Sequence, residues 1–235
     1  MANMNTLRNA VALKVGMSTS DSTEAERLLA WLNEGYEDVL VRTRCKVNCA
    51  DLTFTPDVWK YTLPTSILSV LEVWLEDTST RSLPFERTTA EHIIRLRAGI
   101  VVSSGSPVRY YAVEGSDLLM VWPTPDSADP LNILYVPRPT AMSATSDTPS
   151  YVPSEWHKAI ELYASWQAGD YSDDGSSGVG ESYRIQYEGQ DSMGGYLKKI
   201  RQAMRRKGGR RLGPARVGRR WGQWVPHAND QSLNW

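Results

Sequence analysis

Apolar residues along this chain change their spacing twice. From about Thr23 to Arg44, Leu28, Trp31, Leu32, Val39 and Leu40 recur at the interval of a helix, with Glu24, Arg27, Glu34, Glu37 and Asp38 on its other faces. Thr23 and Glu26 have the spacing of a capping box, and Arg42 and Arg44 suit the negative end of the helix dipole. A shorter helix is expected from Thr6 to Gly16, with Leu7, Val11 and Val15 on one face, Thr6 as N-cap and Gly16 as the stop. From about Asp51 the period shortens. Leu52 to Phe54, Trp59 to Leu63 and Leu68 to Leu75 read as strands rich in β-branched and aromatic residues, punctuated by Pro56 and Pro64. Arg81 to Arg87 predicts a further short strand, and Thr88 to Ala98 an inserted helix ended by Gly99. Val108 to Val113 and Leu118 to Trp122 flank a hairpin turn at Glu114 to Asp117, and Leu131 to Val136 is the next strand.

Thr140 to Pro149 reads as a Ser/Thr/Asp/Pro linker, after which helical spacing returns. Trp156, Ala159, Ile160, Tyr163 and Trp166 form an apolar stripe that starts near Pro153 and ends at Gly169. A Gly/Ser/Asp loop follows to Gly180. The last helix is expected from about Glu181 to Lys207, with Tyr183, Tyr187, Met193, Leu197, Ile200 and Met204 roughly on one face. Gly189, Gly194 and Gly195 each weaken it by about 1 kcal/mol relative to Ala, which predicts a kink or break. The fold class is therefore α+β. Helices in 1–50 and 150–207 form a bundle, 51–149 an inserted antiparallel β-module, and 208–235 an extended arm.

Charge changes this picture most. The 235 residues carry 26 basic and 27 acidic side chains, and 11 of the basic ones fall between Lys198 and Arg220, where there is no acid. The rest of the chain holds 15 basic against 27 acidic residues, a formal charge of −12. An acidic body joined to a basic arm implies an anionic partner for the arm. After Gly208 the arm has neither helical nor strand periodicity, so it cannot build a core. Its Arg excess over Lys favours shaped, bidentate contacts, and Trp221, Trp224 and Trp235 are anchors of the kind found at interface hot spots. The partner-binding candidates are Arg205, Arg206, Arg210, Arg211, Arg216, Arg219, Arg220, Trp221, Trp224 and Trp235. Two other readings stand beside docking on a protein: a solvated, disordered tail, and a nucleic-acid-binding arm with Arg on phosphates and Trp stacked on bases.

Nine Trp and eleven Tyr stand against two Phe. Trp31, Trp59, Trp74, Trp122, Trp156 and Trp166 are each as well suited to the core as to an interface. Residues 1–20 lack the apolar run of a signal peptide, and no segment approaches the roughly 18 apolar residues of a membrane span. Cys45 and Cys49 read as small reduced residues, not as a disulfide framework or metal pair, because no His or further Cys completes a site. His92, His157 and His227 are far apart, and no hydrolase, zinc or Walker motif occurs. No catalytic group, metal or cofactor is expected. Asp170, Ser172, Asp174, Gly175 and Glu181 do match EF-hand spacing, but Ser177 stands where such loops carry an aliphatic residue, and extra glycines loosen the loop.

The order of features resembles the head-to-tail adaptor proteins of tailed bacteriophages, especially podovirus-like neck complexes. The residues that carry the resemblance begin with Trp31-Leu32-Asn33-Glu34-Gly35-Tyr36, Tyr61-Thr62-Leu63-Pro64 and Val108-Arg109-Tyr110-Tyr111. They continue with Leu118 to Asp126, Ile133 to Pro139, Tyr151-Val152-Pro153 and the Trp156 to Tyr171 helix, and cover about residues 5–207. The resemblance implies a structural virion protein of the neck, assembled in the host cytoplasm. It implies a ring of twelve copies under the portal protein, with tail or nozzle proteins below, DNA nearby and the C-terminal arm reaching into the portal. The alternative is a nucleic-acid-binding protein that uses the arm.

Overall fold

The computed structural model describes residues 2–75, 84–99, 107–115, 117–172, 178–190 and 193–207. The first two helices are α1, Met4–Val15, and α2, Ser22–Thr43. Their starts lie slightly earlier than the pattern predicted, because different side chains cap them. Asn3 accepts the Thr6 amide in α1, and Asp21 accepts the Thr23 and Glu24 amides in α2. Thr6 and Thr23 therefore lie inside their helices, and the capping box is not what starts α2. Gly16 does end α1, in the left-handed conformation that glycine adopts without strain.

Among the described residues, seven strands follow in two sheets. The first sheet has the order β1-β7-β3, from Asn48–Thr53, Pro130–Pro137 and Ile67–Leu75. The second has the order β2-β6-β5-β4, from Lys60–Thr62, Leu118–Trp122, Tyr110–Glu114 and Glu86–Arg87. Pairing within the two sheets is antiparallel except for β4 with β5. That parallel pair needs a crossover, and the inserted helix α3, Ala90–Gly99, supplies it. The strand predicted from Arg81 is described only as Glu86–Arg87; 81–83 lie outside the described residues.

β3 explains how the layers meet. Its register against β7 shifts twice, between Ile67 and Ser69 and between Val70 and Glu72. Each shift inserts a residue and resets the two-residue alternation. Ile67, Val70 and Val73 thus point to one side, into a core with Phe54, Phe85, Tyr111 and Leu119 between the sheets. Leu68 and Leu71 point to the other side, with Val136 of β7, and pack on the helices. Both of the chain's phenylalanines lie in the inter-sheet core, stacked with ring centroids 6.4 Å apart. Beyond the second sheet, α3 buries Ile93 against Ala112 and Met120.

The Ser/Thr/Asp/Pro stretch before the C-terminal helices is fastened to the first two. Asn33 accepts the Met142 amide (2.8 Å) and donates to the Met142 carbonyl (3.1 Å). Tyr36 accepts the Tyr151 amide at 2.8 Å, and Met142 and Val152 are buried. A 3₁₀ turn, Ser154–Trp156, leads into α4, His157–Ser172.

α4 buries more than the predicted stripe. Leu162, Ala164 and Ala168 join Ala159 and Ile160 in the core, because α1, α2 and α5 (Val179–Glu188) all pack on this helix. Gly35 of α2 seats Tyr163; a Cβ there would stand 2.9 Å from the Tyr163 Cδ1. Gly169 is not a stop, since α4 runs through it. It is the crossing point with α5, where a Cβ would fall 2.7 Å from the Gly180 nitrogen. Of the six tryptophans outside the arm, Trp156 alone is buried among the described residues; the other five are half-buried. Cys45 is half-buried, and burial raises its thiol pKa; Cys49 is exposed, and neither is in a disulfide.

Lys14 and Lys158 both donate to Glu161 Oε1, the latter at 2.8 Å, and this ties α1 to α4. Burial pushes the Glu161 carboxyl up, but the two ammonium groups outweigh it and hold its pKa below the ordinary 4.5. Burial pushes the Lys14 ammonium down. A carboxylate with a depressed pKa contributes stability that is full above its ordinary value and is lost as pH falls through the folded one. Glu161→Gln is expected to cost on the order of 2 kcal/mol at pH 7 and to shrink the loss of stability on acidification below about pH 4.5. Urea denaturation at a series of pH values checks both.

Candidate partner-binding surface

The long final helix predicted from Glu181 to Lys207 is two helices. α5 ends at Glu188, and α6 runs from Tyr196 to Lys207. Between them β8, Gly189–Gln190, and β9, Met193–Gly194, pair as a minimal hairpin. Gly189 has φ 97°, a conformation that side chains disfavour. A Cβ on Gly195 would overlap the backbone of Tyr187, Glu188 and Gly189. The predicted break therefore falls at the glycines, and what it produces is a reversal held by close backbone contact.

The reversal folds α6 back onto the end of α2. Leu197 and Ile200 are buried, Tyr196, Ala203 and Met204 are half-buried, and the Tyr196 hydroxyl donates to the Glu155 carbonyl at 3.2 Å. A chain of polar contacts fixes the junction. Tyr187, fully buried, donates its hydroxyl to Asp38 Oδ2 and sets its ring edge-on to Tyr163. Arg42 donates from Nε to Asp38 Oδ1 (2.9 Å) and from Nη1 to Glu188 Oε1 (2.6 Å). Arg201 donates from Nε to the Arg42 carbonyl at 2.9 Å, which occupies an acceptor in the last turn of α2. Burial first, and then the Asp38 charge, push the Tyr187 phenol far above its ordinary range.

What α6 leaves outside is basic. Lys198, Lys199, Arg201, Arg205 and Arg206 are exposed. Among the described residues, no carboxylate lies within 4 Å of the charged groups of Lys198, Arg201, Arg205 or Arg206. A groove of about 380 Å³ opens between α6 and the end of α2, lined chiefly by Arg42, Glu188, Leu197, Lys198, Arg201 and Arg205. Of the partner-binding candidates, the structure places Arg205 and Arg206, both in the last two turns of α6. Arg210, Arg211, Arg216, Arg219, Arg220, Trp221, Trp224 and Trp235 lie outside the described residues.

Of the four groove cations, Arg205 was among the sequence candidates, whereas Lys198, Arg201 and Arg42 were not. Lys198, Arg201 and Arg205 recur at spacings of three and four, and so share a helix face. That signal was present inside a window counted only for its total charge. Arg42 was read as a partner of the helix dipole; nothing in its local sequence points to α6. Of the residues matched to an EF-hand, Asp174 and Gly175 lie outside the described residues, and the described residues contain no cluster of three metal-ligand side chains.

A family model described as SU10 adaptor protein matches residues 2–218. The match runs through the whole described fold and past α6 as far as Gly218, covering Arg210, Arg211 and Arg216 of the arm. No curated protein matches the chain.

Two substitutions test the junction. Gly195→Ala should cost roughly 1–3 kcal/mol and strip hydrogen-exchange protection from α6 while the α4 amides keep theirs. Tyr187→Phe should cost on the order of 1–2 kcal/mol at neutral pH. A phenol with a raised pKa contributes stability that is full below its ordinary value of 10.0 and is lost as pH rises beyond it, so this variant should also show a flatter alkaline decline.

Proposed function

The chain belongs to the SU10 adaptor protein family, and from that membership we propose that it is a head-to-tail adaptor of the virion neck. In this reading copies of the chain form a ring of twelve beneath the portal protein, with tail or nozzle proteins below. The ring assembles in the host cytoplasm. The work is structural: the chain holds two larger bodies in register and performs no chemistry.

The observation that carries the reading is the way α6 leads into the arm. Its apolar side is seated on the helical core, its outer side is basic, and the basic run continues without an acid to Arg220. The arm thus leaves a fixed platform. Its 28 residues could span at most about 90–100 Å, enough to reach well beyond the chain's own body. In the proposed contact Arg205, Arg206, Arg210, Arg211, Arg216, Arg219 and Arg220 align the arm on acidic groups of the portal. Exposed pairs of this kind contribute about 0–1 kcal/mol each, so they steer more than they hold. Trp221, Trp224 and Trp235 then hold it, each burying roughly 150–250 Å² in a pocket of the partner.

The competing reading gives the arm to nucleic acid. It would produce affinity for duplex DNA that falls steeply with salt, by a slope set by the phosphates neutralised. Deleting 208–235 tests both. The truncated chain is expected to keep its circular dichroism and melting behaviour but to fail to join purified portal, as read by mass photometry. Trp221→Ala with Trp224→Ala should weaken joining by at least about tenfold. Normal joining by the truncated chain would rule out the docking role, and tight binding of duplex DNA by the full arm at physiological salt would favour the nucleic-acid reading.

A further inference from the structure

The groove beside α6 is a second contact surface, separate from the arm that grows out of the same helix. Its cations come from two elements: Arg42 from α2, and Lys198, Arg201 and Arg205 from α6. Arg42 is already committed to Asp38 and Glu188, and Arg201 uses its Nε on the Arg42 carbonyl. Their remaining N–H groups, with those of Arg205 and Lys198, surround an opening floored in part by Leu197. The Glu188 carboxylate stands in the wall. A continuous phosphate backbone would meet that carboxylate, whereas side-chain carboxylates arriving singly can pair with the guanidinium groups around it. The volume, about 380 Å³, suits a few side chains and not a duplex.

The chain carries a surface of matching character. Along the first part of α2, Arg27, Trp31 and Glu34 lie on one face beside Tyr171 and Asp170 of α4. Trp31 and Tyr171 are 5.7 Å apart, and Tyr171 is half-exposed. Glu26, Glu34 and Asp170 are exposed acids there. The chain's own Arg27 already lies over the Tyr171 ring, 4.3 Å from its centroid, which leaves the exposed acids of this face to pair with incoming cations. Glu26 and Glu34 stand on the same helix as Arg42, about 24 Å and about 12 Å from it along the axis at 1.5 Å per residue, beyond ion-pair distance.

We infer that the α6 groove of one copy receives the Glu26–Glu34 face of a second copy. The contact uses two different patches, so it propagates head to tail and closes into a ring where the rotation allows. The inference deepens the ring reading above and rests on it, naming the surfaces through which neighbours meet. It rests on charge complementarity: among the described residues Lys198, Arg201 and Arg205 of the groove meet no carboxylate within 4 Å, while the chain outside the basic window carries a formal charge of −12.

A charge-swap experiment on the full chain tests it by sedimentation velocity at about 50 mM salt, where surface charges are weakly screened. Wild type is expected to self-associate, and to do so less as salt rises. Lys198→Glu with Arg205→Glu, and separately Glu26→Lys with Glu34→Lys, should each weaken association at least about tenfold. All four positions are exposed, so each variant should keep its circular dichroism spectrum. An equimolar mixture of the two variants restores both kinds of contact and should associate like wild type. A monomeric wild type at low salt, undiminished association of the groove variant, or a mixture that stays dissociated would overturn the inference. Capture of a short DNA duplex by wild type but not by the groove variant would also overturn it, by assigning the groove to nucleic acid. Recovery of each variant in purified virions separates the two readings. Groove variants that load normally while self-association ignores the swaps would remove this contact and leave the adaptor role standing. Swaps that behave as expected in a chain absent from virions would remove the adaptor role and leave the contact.

Discussion

Gly195 approaches the backbone of Tyr187, Glu188 and Gly189 so closely that no side chain fits there, and what this chain offers a partner depends on that approach. A larger residue would push α6 away from α2. Arg201 would then lose the Arg42 carbonyl, and the groove between the two helices would open into a flat surface. The close contact is local, but the chain of pairs Tyr187–Asp38–Arg42–Glu188 makes it cooperative, because each member holds the next in place. A glycine turn thereby becomes the hinge between a packed acidic body and a basic outer helix.

Much of the fold could be read from spacing, because spacing reports burial directly. α2 followed from Leu28, Leu32, Val39 and Leu40, all buried, and the switch to strands near Asp51 marked the first sheet within a few residues. What could not be read depends on partners distant in sequence. Asp21 and Asn3 cap helices that Thr23 and Thr6 would have capped as well by local rules. Gly169 has the look of a helix stop, yet it exists for the crossing of α5 at Gly180, a contact that no window on α4 contains. The double bulge in β3 turns a simple apolar run into a strand that serves two cores, and that requires the register of β7. Leu162, Ala164 and Ala168 fell outside the predicted stripe because a helix surrounded by three others needs apolar residues on most faces.

The candidate surface divides in the same way. The total charge of the 198–220 window was legible, and so was the break at Gly189 to Gly195. Arg42 was not, since it joins the groove only through the reversal that returns α6 to the end of α2. The residues that carried the family resemblance turn out to have architectural tasks. Asn33 clamps Met142, Gly35 seats Tyr163 and Tyr36 holds Tyr151. Together they hold α4 and the stretch before it against α2.

What we propose is a position: a ring of copies of this chain in the neck, between portal and tail. A cryo-electron microscopy reconstruction of the neck of intact virions tests it most directly. The account predicts a ring of density beneath the portal into which the described fold fits as one copy per repeat, with the end of α6 directed toward the portal and continuous density leaving it. A neck whose ring is built from a different fold, or one in which this chain sits with α6 facing away from the portal, would contradict it.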